Sequence, residues 1–223
     1  ANTLASGRLS FLRDRRYLLL AYLAYHRDWV PRERLARLFW PAHERGDARL
    51  NVRQLLRRTR RLWWRPEIEA SEHRQERWLR WSPRTDLAEL ERAVADHDHD
   101  AAIALFGGAL LSGLTSESEP EFTSWVETER LQVHDLWREA LLDHAHRLVS
   151  EGRHRRAARV LADVLRQDGF DEDVLRAYLT AETLAGRARR ALAAYDAFAR
   201  LLGAETGLAP AAPTQALVQR IRD

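Results

Sequence analysis

Apolar residues recur at helical spacing in three segments of the N-terminal part of the chain, over residues 13–26, 31–40 and 47–64. Pro31 suits the first turn of the second helix, and Asp47 is placed to cap the third. In the third segment the apolar stripe consists of Ala48, Val52, Leu55, Leu56, Thr59, Leu62 and Trp63. We therefore predict three helices, each with one face in a core.

The other side of the third helix carries mostly guanidinium and amide groups, and it has no acidic residue after Asp47. Its arginines therefore have no ion-pair partner within the helix. Arginine binds guanine edges, asparagine and glutamine bind adenine edges, and arginine also holds phosphates. The candidate DNA contacts on this helix are Arg49, Asn51, Arg53, Gln54, Arg57, Arg58 and Arg61. A solvated helix face in an arginine-rich chain is the competing interpretation.

Residues 66–83 then alternate apolar and polar side chains around a polar turn, which predicts a two-stranded hairpin. Three helices followed by a hairpin with a basic tip have the order of a winged helix-turn-helix. The tip residues His73, Arg74, Gln75 and Arg77 are candidate DNA contacts. An ordinary exposed turn would explain the same residues.

Residues 86–223 show helical spacing only, with a long helix that Gly152 ends. Two segments that begin at Glu151 and Ala185, 34 residues apart, resemble one another: "EGRHRRAARVLADVL" and "AGRARRALAAYDAFA". This is the period of a tetratricopeptide repeat, and such helical hairpins stack into a protein-binding surface. We predict a mainly α protein with a winged helix at residues 1–85 and a tetratricopeptide-like domain at residues 86–223.

Charge divides the chain at the same place. Residues 1–85 contain 20 arginines and 9 acidic residues, a balance of +11, whereas residues 86–223 contain 16 and 24, a balance of −8. The basic part is a candidate for binding a polyanion, and the acidic part is not. Two modules with different partners are therefore expected.

The composition excludes several kinds of chemistry. Cysteine and lysine are absent, so thiolate sites and lysine-dependent phosphate loops are excluded. The run "DHDHD" at residues 96–100 is interpreted as a polar turn between helices, not as a metal site. No hydrolase, metalloprotease or phosphate-loop motif occurs, and no apolar run of about 18 residues is present. We expect no enzyme activity, no cofactor, no metal, no membrane span and a cytoplasmic location.

The segments taken together resemble the bacterial transcriptional activator domain regulators, also called SARP-like. The segments that carry the resemblance are "RRYLLLAYLAYH", "RERLARLFWP", "ARLNVRQLLRRTRRL", "FGGALLSGL", "EFTSWVETERLQV" and "GLAPAAPT". The resemblance implies an OmpR-type winged helix joined to a tetratricopeptide-like domain. It also implies activation of transcription at promoter direct repeats of double-stranded DNA, often as a homodimer, with contact to RNA polymerase.

Two other functions compete with a sequence-specific regulator. The first is a protein-interaction or signalling module, as the N-terminal part of a larger regulatory ATPase. The arginine face of the third helix favours DNA over this alternative. The second is an RNA-binding regulator, which the lack of aromatic residues among those arginines disfavours.

Overall fold

The protein is described by a computed structural model, which is mainly helical with one small sheet in its described parts. The described residues are 14–73, 76–105, 108–114, 118–166 and 169–223. Contacts divide the chain into two compact units, neither of which is continuous in sequence. The first unit comprises Ala1–Arg92 and Leu105–Asp135, and the second comprises Ala93–Ala104 and Leu136–Asp223. The domain boundary between residues 85 and 86 stays a prediction.

The first unit begins with the three predicted helices, α1 (Arg15–His26), α2 (Arg32–Phe39) and α3 (Arg45–Thr59). The Asp14 carboxylate caps α1 by accepting a hydrogen bond from the Arg16 amide. The capping role predicted for Asp47 is wrong, because α3 begins two residues earlier and Asp47 lies in its first turn. An acidic side chain there still faces the positive end of the helix dipole.

Helix α3 is also shorter than the apolar pattern predicts, since it ends at Thr59 and not at Trp64. Two turns follow, in which the Leu62 amide donates to the Thr59 carbonyl and the Arg65 amide donates to the Leu62 carbonyl. These turns keep Leu62 in the core after the helix has ended. The prediction that Trp63 faces the core is wrong, since its side chain is 90% exposed.

A three-stranded antiparallel sheet completes the winged helix-turn-helix. Strands β1 (Val30–Pro31), β2 (Glu69–His73) and β3 (Glu76–Arg80) lie in the order β1-β3-β2. The β2–β3 pair is the predicted hairpin. The first strand was not predicted, because two residues carry no periodic signal. Pro31 therefore lies in a strand and at the N-cap of α2, and not inside the helix.

The core of the first unit extends beyond the three helices and the sheet. Helix α4 (Asp86–Ala95) follows the hairpin, and α6 (Pro120–Ser150) contributes its first half to this unit. Phe122 and Val126 of α6 are fully buried among the core residues of α1, α2 and α3. The Phe122 ring stacks on Phe39 at 6.0 Å between centroids. Residues outside the predicted winged-helix domain therefore pack into its core.

The second unit contains α5 (His99–Leu105) up to residue 104, the second half of α6, and four further helices. These are α7 (His154–Leu165), α8 (Glu172–Leu184), α9 (Ala188–Thr206) and α10 (Ala212–Arg222). Helices α7 and α8 pack together, as do α8 and α9. The fold is the predicted all-helical repeat.

The 34-residue period has a direct structural counterpart. Gly152 and Gly186 both adopt a left-handed conformation, with φ of 73° and 76°. The amides that follow them, of Arg153 and Arg187, donate to carbonyls five residues earlier at 2.8 Å. This is the Schellman arrangement, which glycine allows at no steric cost. The repeated sequence therefore encodes the same helix end twice.

Candidate nucleic-acid interface

The inner face of helix α3 determines how the helix is rotated about its axis. On this face Ala48, Val52, Leu55, Leu56 and Thr59 are all buried. The Thr59 hydroxyl donates to the Leu55 carbonyl at 2.9 Å, so the one polar side chain of the stripe is satisfied within the helix. Burial of this stripe determines which side chains face outward.

Arg53, Gln54 and Arg57 lie on the outward face and are exposed. Within the part of the chain that the structure describes, their side chains make no hydrogen bond or ion pair. Leu50 lies on the same face and is 49% exposed. A partner can therefore reach these side chains without displacing a hydrogen bond or ion pair to any described residue.

Arg49 is turned toward α2. Its Nε atom donates to Glu33 Oε2 at 2.8 Å, and Arg45 Nε lies 3.4 Å from the other carboxylate oxygen. The hydrogen bond from Arg49 lowers the pKa of the Glu33 carboxyl, so this group stays ionised beside the helix. Glu33 therefore offsets part of the positive charge at the start of α3.

Asn51 and Arg58 lie on the opposite edge of α3. Together with Gln54 they line a groove of about 580 Å³, whose other side is formed by residues 14–16 at the start of α1 and by Trp40. Asn51 is half-buried, whereas Arg58 is exposed. The structure thus places Asn51 beside α1 and not at the centre of the outward face.

Arg61 lies in the turn after α3, because the helix is shorter than predicted. It lines a groove of about 360 Å³ with Arg32, Arg53, Leu56, Arg57 and Arg60. The Arg60 Nη2 atom donates to the Ile68 carbonyl at 2.8 Å, which ties its guanidinium to the segment before the hairpin. Five arginines and no carboxylate therefore line this groove.

In the hairpin, Arg77 lies opposite Glu72 in the strand register, and their side chains form an ion pair at 3.1 Å. His73 ends β2, with its backbone paired to Glu76. Arg74 and Gln75 lie outside the described residues. Glu72 therefore neutralises part of the charge that Arg77 contributes to the hairpin.

Arg32 is a candidate that the sequence interpretation missed. It lines the arginine groove and also a second groove of about 430 Å³, which reaches Arg77 on the hairpin. No sequence signal separates Arg32 from Arg34 and Arg37 on the same helix. Its neighbours in space are far from it in the chain.

The remaining predictions concern metal sites and membrane spans. The "DHDHD" run forms a turn at residues 96–98, and His99 begins α5 as a buried side chain. Among the described residues, no group of three or more histidine, aspartate or glutamate side chains could hold a metal ion. No helix in the described ranges is long and apolar enough to cross a membrane.

The fold and the arginine face define a winged helix-turn-helix protein with helical repeats. The pattern of the bacterial transcriptional activator domain matches residues 83–222, more than half of the chain. The chain therefore belongs to the bacterial transcriptional activator domain family.

A solved structure of Mycobacterium tuberculosis EmbR in complex with a low affinity phosphopeptide has the same fold. It has a TM-score of 0.62 and 18% sequence identity over 93% of this chain. The match spans 58% of the EmbR chain. A search of curated protein sequences gave no match.

Proposed function

We propose that this protein is a sequence-specific DNA-binding regulator that activates transcription from promoter DNA. The observation that carries the proposal is the outward face of α3, where Arg53, Gln54 and Arg57 are exposed above a buried stripe and pair with no side chain among the described residues. Exposed arginine without a counterion favours a polyanionic partner, since a face that serves solubility usually mixes both signs.

In this mechanism α3 enters the major groove. Arg53 and Arg57 are suited to guanine O6 and N7, and Gln54 is suited to adenine N6 and N7. Arg49, Asn51 and Arg58 at the edges of the helix, and Arg61 in the turn after it, hold phosphates, which fix the register of the protein on the duplex. We assign phosphate or minor-groove contact at the hairpin tip to His73, Arg74, Gln75 and Arg77.

The helical repeats supply contact with protein partners. Stacked helical hairpins of this period present surfaces that bind proteins, and membership of the activator family makes RNA polymerase the partner that we propose. A homodimer on direct repeats, a cytoplasmic location and a role without catalysis or cofactor belong to the same proposal.

The experiment is a salt titration of the full chain on labelled duplex DNA, followed by fluorescence anisotropy. We expect the logarithm of the association constant to fall linearly with the logarithm of salt concentration, by about 0.9 per phosphate contacted. A combined Arg53→Ala and Arg57→Ala variant should bind much more weakly. Arg84→Ala is the matched control, because Arg84 is exposed and pairs with Glu89 away from α3.

A flat salt response between about 50 and 200 mM would count against DNA as the partner, since several phosphate contacts would produce a large loss of affinity over that range. Equal binding by the combined variant and the control would remove α3 from the interface.

A further inference from the structure

Arg32 is the first residue of α2, and it forms a wall shared by two grooves beside α3. Its Nε atom is buried and has no hydrogen-bond partner among the described residues. A buried donor without a partner is costly, and in native structures it calls for an explanation such as an absent ligand.

The charges around Arg32 specify the sign of that ligand. The smaller groove is lined by Arg32, Arg53, Arg57, Arg60 and Arg61 with Leu56, and it contains no carboxylate. Burial lowers the pKa of the Arg32 guanidinium, and repulsion from Arg77, Arg60 and Arg53 lowers it further, while Glu72 on the hairpin opposes them. An anion in this groove would relieve the repulsion among these guanidiniums.

Two of these guanidiniums are held in place before any ligand arrives. Arg32 is half-buried with its Nε atom enclosed, and Arg60 is held by its hydrogen bond to the Ile68 carbonyl at 2.8 Å. Such preorganisation reduces the entropy that binding must overcome. The groove, at about 360 Å³, has roughly ten times the ~30 Å³ share of one liquid water molecule, which is room for a phosphodiester group.

We propose that Arg32, with Arg60 and Arg61, forms a binding site for one phosphodiester group of the DNA backbone. Arginine and phosphate form strong charge-assisted hydrogen bonds with matched geometry. This inference rests on the proposed function, and it assigns different roles to different arginines of the DNA-binding surface. Arg53 and Arg57 read bases, whereas the three arginines outside α3 hold the backbone and set the position of the helix.

The first test compares Arg32→Gln with Arg34→Gln in the full chain. Arg34 lies two residues along the same helix, with its guanidinium over the Tyr22 ring at 5.6 Å, so the two variants lose the same charge on different sides. Arg32→Gln should make the log–log salt slope shallower by about 0.9, with specific and non-specific duplexes weakened by the same factor. Arg34→Gln should keep the wild-type slope.

The second test locates the phosphate. Duplexes with one neutral methylphosphonate linkage at successive positions are bound to the wild type, Arg32→Gln and Arg60→Gln. At one linkage the wild type should lose affinity while both variants lose none, which is the signature of a shared contact in a double-mutant cycle. Circular dichroism shows whether Arg32→Gln folds. If it does not, Arg60→Gln alone decides: at one linkage, neutralisation should weaken binding by the wild type and not by Arg60→Gln.

Two results would overturn the site. One is a wild-type salt slope in folded Arg32→Gln. The other is the absence of any linkage whose neutralisation weakens the wild type and leaves the variants unaffected. Thermal stabilisation by inorganic phosphate that Arg32→Gln abolishes, without any change in the DNA salt slope, would assign the groove to free phosphate and also overturn it. Failure of the wild type itself to bind DNA would instead refute the proposed function.

Discussion

Helix α3 and the helices of the second unit differ in the acidic residues that accompany their arginines. On α3, Arg53 and Arg57 are exposed with no ion pair in the described residues. In the second unit, several exposed or half-exposed arginines pair with carboxylates, although others, such as Arg155, Arg159 and Arg200, are exposed with no ion pair among the described residues. Examples of the pairs are Arg156 with Asp100 at 2.8 Å, Arg138 with Asp171 at 2.5 Å, and Arg176 with Glu172 at 3.6 Å.

The comparison teaches that the number of arginines alone does not mark an interface in this protein. Arginine supplies all of the positive side-chain charge other than that of histidine, so it occurs in structural and functional roles alike. What distinguishes α3 is that no acidic residue follows Asp47 in the helix, so Arg53 and Arg57 have no carboxylate beside them on it. Surface ion pairs contribute little stability, so those of the second unit serve mainly to neutralise charge. On α3 the positive charge of Arg53 and Arg57 stays available to a partner.

The largest predicted effect tests the extent of the region that carries α3. Phe122→Ala should lower the free energy of unfolding of the first unit by about 3–5 kcal/mol, because a fully buried ring is removed from its core. Leu131→Ala on the same helix should have little effect, since Leu131 is 68% exposed. Urea denaturation followed by tryptophan fluorescence measures both. Equal stability of the two variants would mean that residues 105–135 do not belong to this core.

The second prediction concerns the unpaired arginines themselves. Arg53→Ala or Arg57→Ala should each weaken binding to a specific duplex by about 1–3 kcal/mol, which is about 5- to 150-fold. Arg156→Ala in the second unit should leave DNA affinity unchanged, because that guanidinium is paired with Asp100. Anisotropy titrations at one fixed salt concentration give the three affinities. A loss of similar size in Arg156→Ala would break the contrast between paired and unpaired arginines.

The third prediction sharpens the contrast within the first unit. Glu72→Gln removes the carboxylate that neutralises Arg77 and should tighten binding to any duplex by a few fold, with a steeper salt slope. Glu89→Gln, which releases Arg84 away from α3, is the matched control and should do much less. Weaker binding by Glu72→Gln would show that the ion pair positions Arg77 for DNA and does not compete with it.

The smallest predicted effect concerns the second unit and pH. His144 is 1% exposed, with Nδ1 accepting from Arg147 at 3.2 Å and Nε2 lying 3.4 Å from Asp100. Burial lowers the pKa of His144, with nearby Arg147, His99 and Arg156 acting in the same direction and Asp100 opposing them. The folded state therefore takes up a proton less readily than the unfolded chain, so stability should fall as pH falls below about 6.5.

Thermal melts of the wild type, His144→Gln and His146→Gln between about pH 7.5 and 5 measure this effect. His144→Gln should flatten the acid side of the profile, whereas His146→Gln, which changes an exposed histidine of the same helix, should follow the wild type. Identical profiles for all three proteins would remove His144 as the titrating group.

The sequence predicted those parts of the fold in which a single element contains the pattern that specifies it. The 34-residue period gave the helical repeat, since each copy contains the glycine that ends its helix. The stripe from Ala48 to Thr59 gave the inner face of α3 because burial follows the helical period. Helix ends were less predictable, because Trp63 continues the apolar pattern after the backbone has left the helix.

Contacts between segments that are distant in the chain could not be predicted from the sequence. Asn51 lies beside α1, and Arg49 pairs with Glu33, because the packing of α1 and α2 against α3 decides what lies at its edges. Arg32 gains its surroundings from α3 and the hairpin, so its own neighbours in sequence gave no indication. Strand β1 is only two residues long and depends on its pairing with β3.

The central claim is that the outward face of α3 reads bases. The most direct measurement selects bound sequences from a random duplex pool with the wild type, and then compares specific with non-specific affinity for Arg53→Ala, Gln54→Ala and Arg57→Ala. The account predicts an enriched motif, and a variant that loses preference at one base position while non-specific binding changes little. A specificity ratio unchanged in all three variants would contradict it.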